Sequence, residues 1–350
     1  MRKFYLSKNY NEINSAGNKA KTDIETILAN LGYKNAGLAQ THYSNKVIGF
    51  IMTLIGVLKV FFTISKNDCI VLQYPFKKYY TFICHITHAK GGKVITIIHD
   101  LGTFRRKKIS AKKEIKRLNN SDYLVAHNCN MKNWLQTQKL KKTIKKTIIE
   151  LEIFDYLSSS KNNKNIKIKT SPIRVIYAGS LGYKKNKFLY KMEHIISEWQ
   201  FELYGNGFDN NKITNKEHFN YNGFVPSEQL IEDVCAHFGL IWDGDSISIC
   251  SGNYGEYLKI NNPHKVSLYI KCNLPLIIWK EAALASFVTN NQIGICINSL
   301  DELDSILPSI SAETYDQMRE NIKNINKKIS SGYYLTKALT EIENNMNKQN

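Results

Sequence analysis

Acidic residues are the scarce class in this chain: 30 Asp and Glu stand against 48 Lys and Arg in 350 residues, a formal charge of +18. Such an imbalance turns the protein away from cationic partners. It favours phosphate-bearing ones: nucleic acid, an anionic membrane surface or a phosphorylated ligand. Arginine is scarce too, six of the 48 basic residues. Base edges are read largely by the bidentate Arg fork, and no helix-turn-helix, zinc-finger or aromatic RNA-binding motif occurs, so no nucleic acid is expected as partner. The seven cysteines (Cys69, Cys84, Cys129, Cys235, Cys250, Cys272, Cys296) include no CxxC pair and no zinc-ligand spacing. They read as buried thiols of a reducing cytoplasm rather than a disulfide framework. A signal-peptide pattern is missing at Met1-Arg2-Lys3, which leads straight into a short apolar strand. The longest apolar stretch, Val47 to Ile64, is broken by Lys59 and falls short of the roughly 20 residues of a membrane span. It reads as a core helix, with an interfacial membrane helix as the second reading.

What the chain does have is two rounds of strand–helix alternation. In the first half, Lys3–Leu6, Asp68–Gln73, Lys93–Asp100 and Ser121–Ala126 are strand candidates. Helical spacing falls between them, at Lys19–Leu31, Val47–Ile64, 76–89 and 110–118. Residues 157–171 (LSSSKNNKNIKIKTS) are polar and without period, and are expected to be the interdomain linker. Strands restart at Ile173–Gly179, followed by a helix over 185–198, then strands at Phe201–Tyr204, Asn220–Val225, Phe238–Trp242, 274–279 and 293–297. Such alternation predicts an α/β protein with a Rossmann-like parallel sheet in 1–156 and another in 172–310. Residues 311–350 are expected to be helices packing back across the domains. Ligands in such sheets sit at the carboxyl ends of strands, which makes the cleft between the halves the expected site.

The most informative stretch is Tyr257-Leu-Lys-Ile-Asn-Asn-Pro-His-Lys-Val-Ser-Leu-Tyr269. Pro263 suits a first helical turn, so a helix is expected to start near Asn262 or Pro263, its positive dipole end beside Lys259 and Lys265. Phosphate is attracted to such a place; the alternative is a solvated basic loop. Two glycine turns precede it. Tyr177-Ala-Gly179-Ser180-Leu-Gly182, with Lys184 and Lys185, joins a strand to a helix, and Tyr204-Gly205-Asn-Gly207 ends the next strand. Either turn alone is as often structural; Tyr204 could stack on a nucleobase. Asp243-Gly244-Asp245 offers two carboxylates, too few for a magnesium site without substrate phosphates. They otherwise contact sugar hydroxyls or cap the strand. In the first half, Ser15-Ala-Gly17-Asn18-Lys19 opens a helix after the first strand, a plain tight turn being equally open. His99 and Asp100 end an apolar strand, where either group can take a proton from a hydroxyl, or simply make a turn.

Taken together, SAGNKA (Ser15–Ala20), LQYPF (Leu72–Phe76), IHDLGTFR (Ile98–Arg105), YAGSL, YGNG, GLIWDG (Gly239–Gly244) and the Tyr257–Tyr269 motif resemble the GT-B nucleotide-sugar glycosyltransferases. The likeness is to the bacterial family holding β-1,6-galactofuranosyltransferases and the glucosyltransferases of streptococcal adhesins. It implies a hexose (galactofuranose or glucose) moved from a UDP-sugar to a saccharide acceptor, with inversion and no metal cofactor. It implies nucleotide-sugar contacts from Tyr204, Lys259 and Lys265, with Asn18 and Asp100 across the cleft; the glycine turns and strand ends add Gly179, Ser180, Lys184, Gly205, Asp243 and Asn262 to the expected donor site. Gly17, Asn18, Lys19 and Thr103 would then lie on the acceptor side, with Asp100 as base and His99 as its competitor. The acceptor is expected to be lipid-linked, with basic runs at Arg105–Lys108 and Lys112-Lys113 resting on the inner face of the plasma membrane; a homo-oligomer is compatible with all this. The competing readings are a nucleotide-sugar-binding protein without transferase activity and a basic nucleic-acid-binding protein.

Overall fold

The computed structural model describes residues 1–10, 16–76, 79–105, 107, 109–145, 147–168 and 172–348. Ser15 of the first glycine turn, Arg106 and Lys108 of the basic run and Lys169, Thr170 and Ser171 of the expected linker lie outside these. The chain divides into two units, Met1–Asp155 with Gly332–Asn350, and Tyr156–Ser331.

In the first unit, strands β1 (Lys3–Tyr5), β2 (Lys34–Asn35), β3 (Cys69–Tyr74), β4 (Lys93–Ile98), β5 (Tyr123–Ala126) and β6 (Ile148–Glu150) form one parallel sheet, ordered β2-β1-β3-β4-β5-β6. Every residue of β3 is buried, as are all of β4 but Lys93. That is the near-continuous apolar strand required when helices cover both faces of a parallel sheet. Helices α1 (Ala16–Asn30), α2 (Lys46–Thr63) and α3 (Tyr79–Ala89) connect the first four strands.

The expected core helix is the first correction. Only 22% of α2 is buried: Gly49, Gly56, Val57 and Val60. A side chain on Gly49 would press on Asn9, and Gly56 lies against Leu38, so α2 is seated through its smallest residues and turns its large apolar ones outward.

The second unit holds β7 (Ile173–Ala178), β8 (Trp199–Tyr204), β9 (Phe219–Tyr221), β10 (Phe238–Ile241), β11 (Leu276–Trp279) and β12 (Gly294–Ile297). Its sheet is again wholly parallel, ordered β12-β11-β10-β7-β8-β9. This is the doubly wound order of dinucleotide-binding sheets, with its reversal between β7 and β10. The helix expected over 185–198 is a 3₁₀ stretch, Lys187–His194. Its Phe188 N–H donates to Gly244 O at 3.2 Å rather than to a carbonyl of its own turn.

The segment expected as a linker is also different. Its described part packs on the second unit: Ser160 Oγ donates to Glu232 at 2.6 Å, Asn162 Nδ2 to Val234 O at 2.9 Å, and Ser158 to Glu228. Composition suggested a solvated tether, yet these three short polar side chains each have a partner on the Ser227–Asp233 helix or the residue after it. Further on, helix Ala312–Ser330 belongs to the second unit, and the chain turns at Gly332 (φ 74°) into helix Tyr333–Asn347 of the first. Asp155 accepts the N–H groups of Tyr334 and Leu335 at 3.2 and 2.8 Å, capping that last helix. Burial pushes the Asp155 carboxyl up to about 7 although these two N–H groups favour its charged form.

Candidate functional site

Side chains leaving the carboxyl ends of parallel strands where the strand order reverses share one crevice. In the second unit that place is occupied by a buried ionic cluster. Tyr177 of β7 donates its hydroxyl to Asp243 Oδ1 at 2.7 Å. Lys265, in the first turn of helix His264–Lys271, reaches the same oxygen at 3.1 Å, and its ammonium stands 4.0 Å from the Tyr177 ring centroid. The two charged side chains are only 13% and 11% exposed. Burial works against charge on Asp243, but Lys265, Lys185 and the Tyr177 hydroxyl outweigh it and hold the carboxyl below its ordinary range. Burial likewise brings Lys265 below the usual lysine value, against the pull of Asp243. Two cations thus face one carboxylate, leaving an excess positive charge. Pro263 gives the helix no side-chain cap, and its positive dipole end points into the same region.

The surrounding loops are tied together. Gly179 (φ 148°) and Gly205 (φ 139°) lie back to back: a Cβ on Gly205 would stand 1.7 Å from Gly179 O. No residue but glycine fits at Gly205. Asn186, fully buried, donates to Ser180 O at 2.7 Å and accepts from Gly244 N–H at 3.2 Å. One amide therefore joins the turn after β7 to the turn after β10. Tyr269 accepts the Ala178 N–H at 2.7 Å, which fixes the His264–Lys271 helix to the end of β7.

Of the residues expected at the donor site, Gly179, Gly205, Asp243 and Lys265 are joined by this network, and Ser180 enters it through its carbonyl. Tyr204 ends β8, half-buried, beside Gly205. Asn262 is buried, one residue before Pro263. Lys184 is exposed, and its neighbour Lys185 is the cation that acts on Asp243. Lys259 is grouped elsewhere: it pairs with Glu281 at 2.9 Å and Glu256 at 3.6 Å and lies over the Trp279 ring. The sequence expects Lys259 to converge on one pocket with Lys265, Gly179, Tyr204 and Gly205; in the structure two carboxylates already share its ammonium. The sequence marks Tyr177 and Lys185 only as parts of the glycine-turn motif, without a role of their own, and does not mark Asn186. A Lys-Lys-Asn run directly behind a glycine turn was the available signal.

In the first unit, His99 and Asp100 follow β4. His99 is buried, hydrogen-bonded to Gln73 at 2.6 Å and stacked on Phe154, whereas the partly exposed Asp100 pairs with Arg105. Buried Glu114 shapes this turn by accepting the N–H groups of Gly102 and Thr103 at 2.9 Å and the Tyr74 hydroxyl at 3.0 Å. The buried Thr103 Oγ1 has no hydrogen-bond partner among the described residues. Gly17 is exposed in the first turn of α1 with open space where a Cβ would stand, Asn18 is half-buried, and Lys19 pairs with Asp23 at 2.6 Å. Among the described residues, no three His, Cys, Asp or Glu gather as metal ligands.

Residues 3–151 match the N-terminal domain of the glucosyltransferase 3-like family, and residues 175–342 its C-terminal domain. The chain is 32% identical to Beta-1,6-galactofuranosyltransferase WbbI of Escherichia coli (strain K12) over 330 residues, 93% of this chain and 94% of that protein. A stretch of 153 residues is 23% identical to Glucosyltransferase 3 of Streptococcus gordonii, 43% of this chain and 45% of that protein. Among solved structures, Anabaena Alr3699/HepE in complex with UDP-glucose superposes at TM-score 0.58 and 11% identity, covering 99% of this chain and 100% of that one. WaaG, a glycosyltransferase involved in lipopolysaccharide biosynthesis, gives 0.51 at 10% identity, over 97% and 98% of the two chains. The shared architecture is the GT-B fold.

Proposed function

This glycosyltransferase belongs to the glucosyltransferase 3-like family, and on that premise we propose that it moves galactofuranose or glucose from a UDP-sugar to a saccharide acceptor, with inversion and without a metal. The observation that carries the reading is the Tyr177–Asp243–Lys265 cluster at the β7/β10 reversal, with Lys185 beside it. Its surplus positive charge, together with the dipole of the His264–Lys271 helix, meets the diphosphate and stabilises it as the leaving group. Asp243 serves by holding Lys265 in place. Tyr204 carries the nucleobase, and the Lys259–Glu281 pair offers both a donor and acceptors to sugar hydroxyls. On the first unit Asp100 takes the acceptor hydroxyl proton; the freed oxygen forms the new bond to the anomeric carbon as the bond to UDP breaks. The acceptor is a lipid-linked glycan intermediate, and the reaction belongs in the cytoplasm, a reading supported by seven unpaired thiols.

Screening UDP-sugars by thermal shift, with and without EDTA, tests the donor half. A ligand at about a hundred times its Kd adds about 2.7 kcal/mol, or roughly 5–10 °C for a domain of this size. The shift should survive EDTA, shrink in Lys185→Ala and persist in Lys184→Ala. No response to any UDP-sugar would sink the reading.

A further inference from the structure

We propose that α2 docks the protein on an anionic phospholipid surface, lying in the interfacial plane rather than crossing it. At 100° per residue, the exposed apolar positions of α2, among them Val47, Phe50, Ile51, Leu58, Phe61 and Phe62, sweep one unbroken arc of about 160°. Phe62 is 82% exposed and Val47 66%. Soluble surfaces rarely expose so continuous an apolar face, and large patches of this kind mark interaction sites.

The helix stands ready without its partner. At one end Asn45 accepts the N–H groups of Val47 and Ile48 at 2.9 and 3.3 Å; at the other Lys90 donates to the carbonyls of Ile64, at 3.1 Å, and Phe61. It does not span: 18 residues rise about 27 Å, short of a hydrocarbon core of about 30 Å. Moreover, its other face is held down through Gly49, Gly56, Val57 and Val60.

Charge selects the occupant. Residues 26–99 contain eight lysines and a single acid, Asp68, which is itself bound to Arg2. Lys46, Lys59 and Lys66 are exposed on or just beyond the helix. A second copy would bring this basic neighbourhood against itself, whereas an anionic leaflet receives both the aromatic side chains and the lysines, each lysine near the surface adding about fivefold in affinity. The inference stands on the helix and its charge, independently of the transfer reaction.

Flotation of the full chain with vesicles of phosphatidylcholine and about a third phosphatidylglycerol reads it directly. The protein should float with these and stay behind with phosphatidylcholine alone. Ile51→Glu/Phe62→Glu should lose binding about tenfold or more, and Lys46→Glu/Lys59→Glu by a similar factor in a salt-dependent way. Both side-chain pairs are solvent-exposed, so melting temperature and the UDP thermal shift should not move. Absence of flotation by the native chain overturns the proposal, as does equal binding to neutral vesicles. If Ile51→Glu/Phe62→Glu converts a dimer to a monomer by light scattering while flotation persists, the face belongs to a second copy and the proposal also falls.

Discussion

Asp243→Asn isolates the central ion pair. The substitution keeps the volume and one oxygen for the Tyr177 hydroxyl, but leaves the Lys265 ammonium buried with its counter-ion gone. Removing one partner of a buried pair costs about 3–5 kcal/mol, far more than replacing both by apolar groups. At about 2–4 °C per kcal/mol for a domain of this size, unfolding of the second unit should come roughly 6–20 °C earlier. Lys265 can escape by losing its proton, since burial already lowers its value and Asp243 no longer opposes this. The deficit should therefore shrink as pH rises towards the ordinary lysine value of 10.5, because the folded variant sheds that proton before the unfolded chain does. Asp243→Asn/Lys265→Met should recover most of the stability, as the stranded charge is gone, while UDP binding remains lost. Urea melts followed by circular dichroism, paired with a UDP thermal shift, measure both quantities. A single variant within about 1 kcal/mol of the native protein, or a double variant no steadier than the single, would refute the reasoning.

Two more expectations concern the first unit. Asp100→Asn should lower turnover about a hundredfold or more and leave UDP-sugar binding intact; near-normal turnover there, with loss in His99→Ala, moves the base to His99. Glu25, buried and hydrogen-bonded to Ser7 at 2.7 Å and to Tyr10, is pushed up to about 7 by burial, which outweighs those two hydroxyls. The folded state then holds a proton that the unfolded chain releases near 4.5, so stability from this group declines as pH climbs through that window and is fully lost above about 7. Glu25→Gln, whose hydroxyl partners can rotate to suit an amide, should gain on the native protein by up to about 2–3 kcal/mol between pH 5 and 8. A gap in urea midpoint that does not change with pH would refute it.

The sheets were legible because β3, β4, β7 and β10 are short apolar runs bounded by turns, and a strand buried on both faces can be written in few other ways. The helix start at Pro263 and the glycine turns followed from backbone chemistry that only those residues satisfy. Which of two adjacent lysines turns inward was not legible: Lys184 and Lys185 differ by one step of backbone direction, and the choice is made by Asp243, some sixty residues away. Nor was the seating of α2. Apolar composition reads the same whether the large side chains meet a core or look away from it. The seven-residue spacing of Gly49 and Gly56 was the sign that the inner face is the small one. The segment from Leu157 looked like a tether because Ser and Asn are usually solvated; Glu228 and Glu232, far along the chain, supply the partners.

Asp155 and the helix that it caps set an order on the birth of this protein. The first unit contains the earliest residues of the chain, yet its last helix, Tyr333–Asn347, leaves the ribosome after the whole second unit has been made. Lys3 and Tyr33 must wait for Glu343, and the Asp155 carboxyl for the amides of Tyr334 and Leu335. The second unit is one uninterrupted stretch and can close as soon as it emerges, while the first remains without its final helix until then. Chain order thus places the whole downstream unit ahead of the last piece of the upstream one, which is the last to be completed.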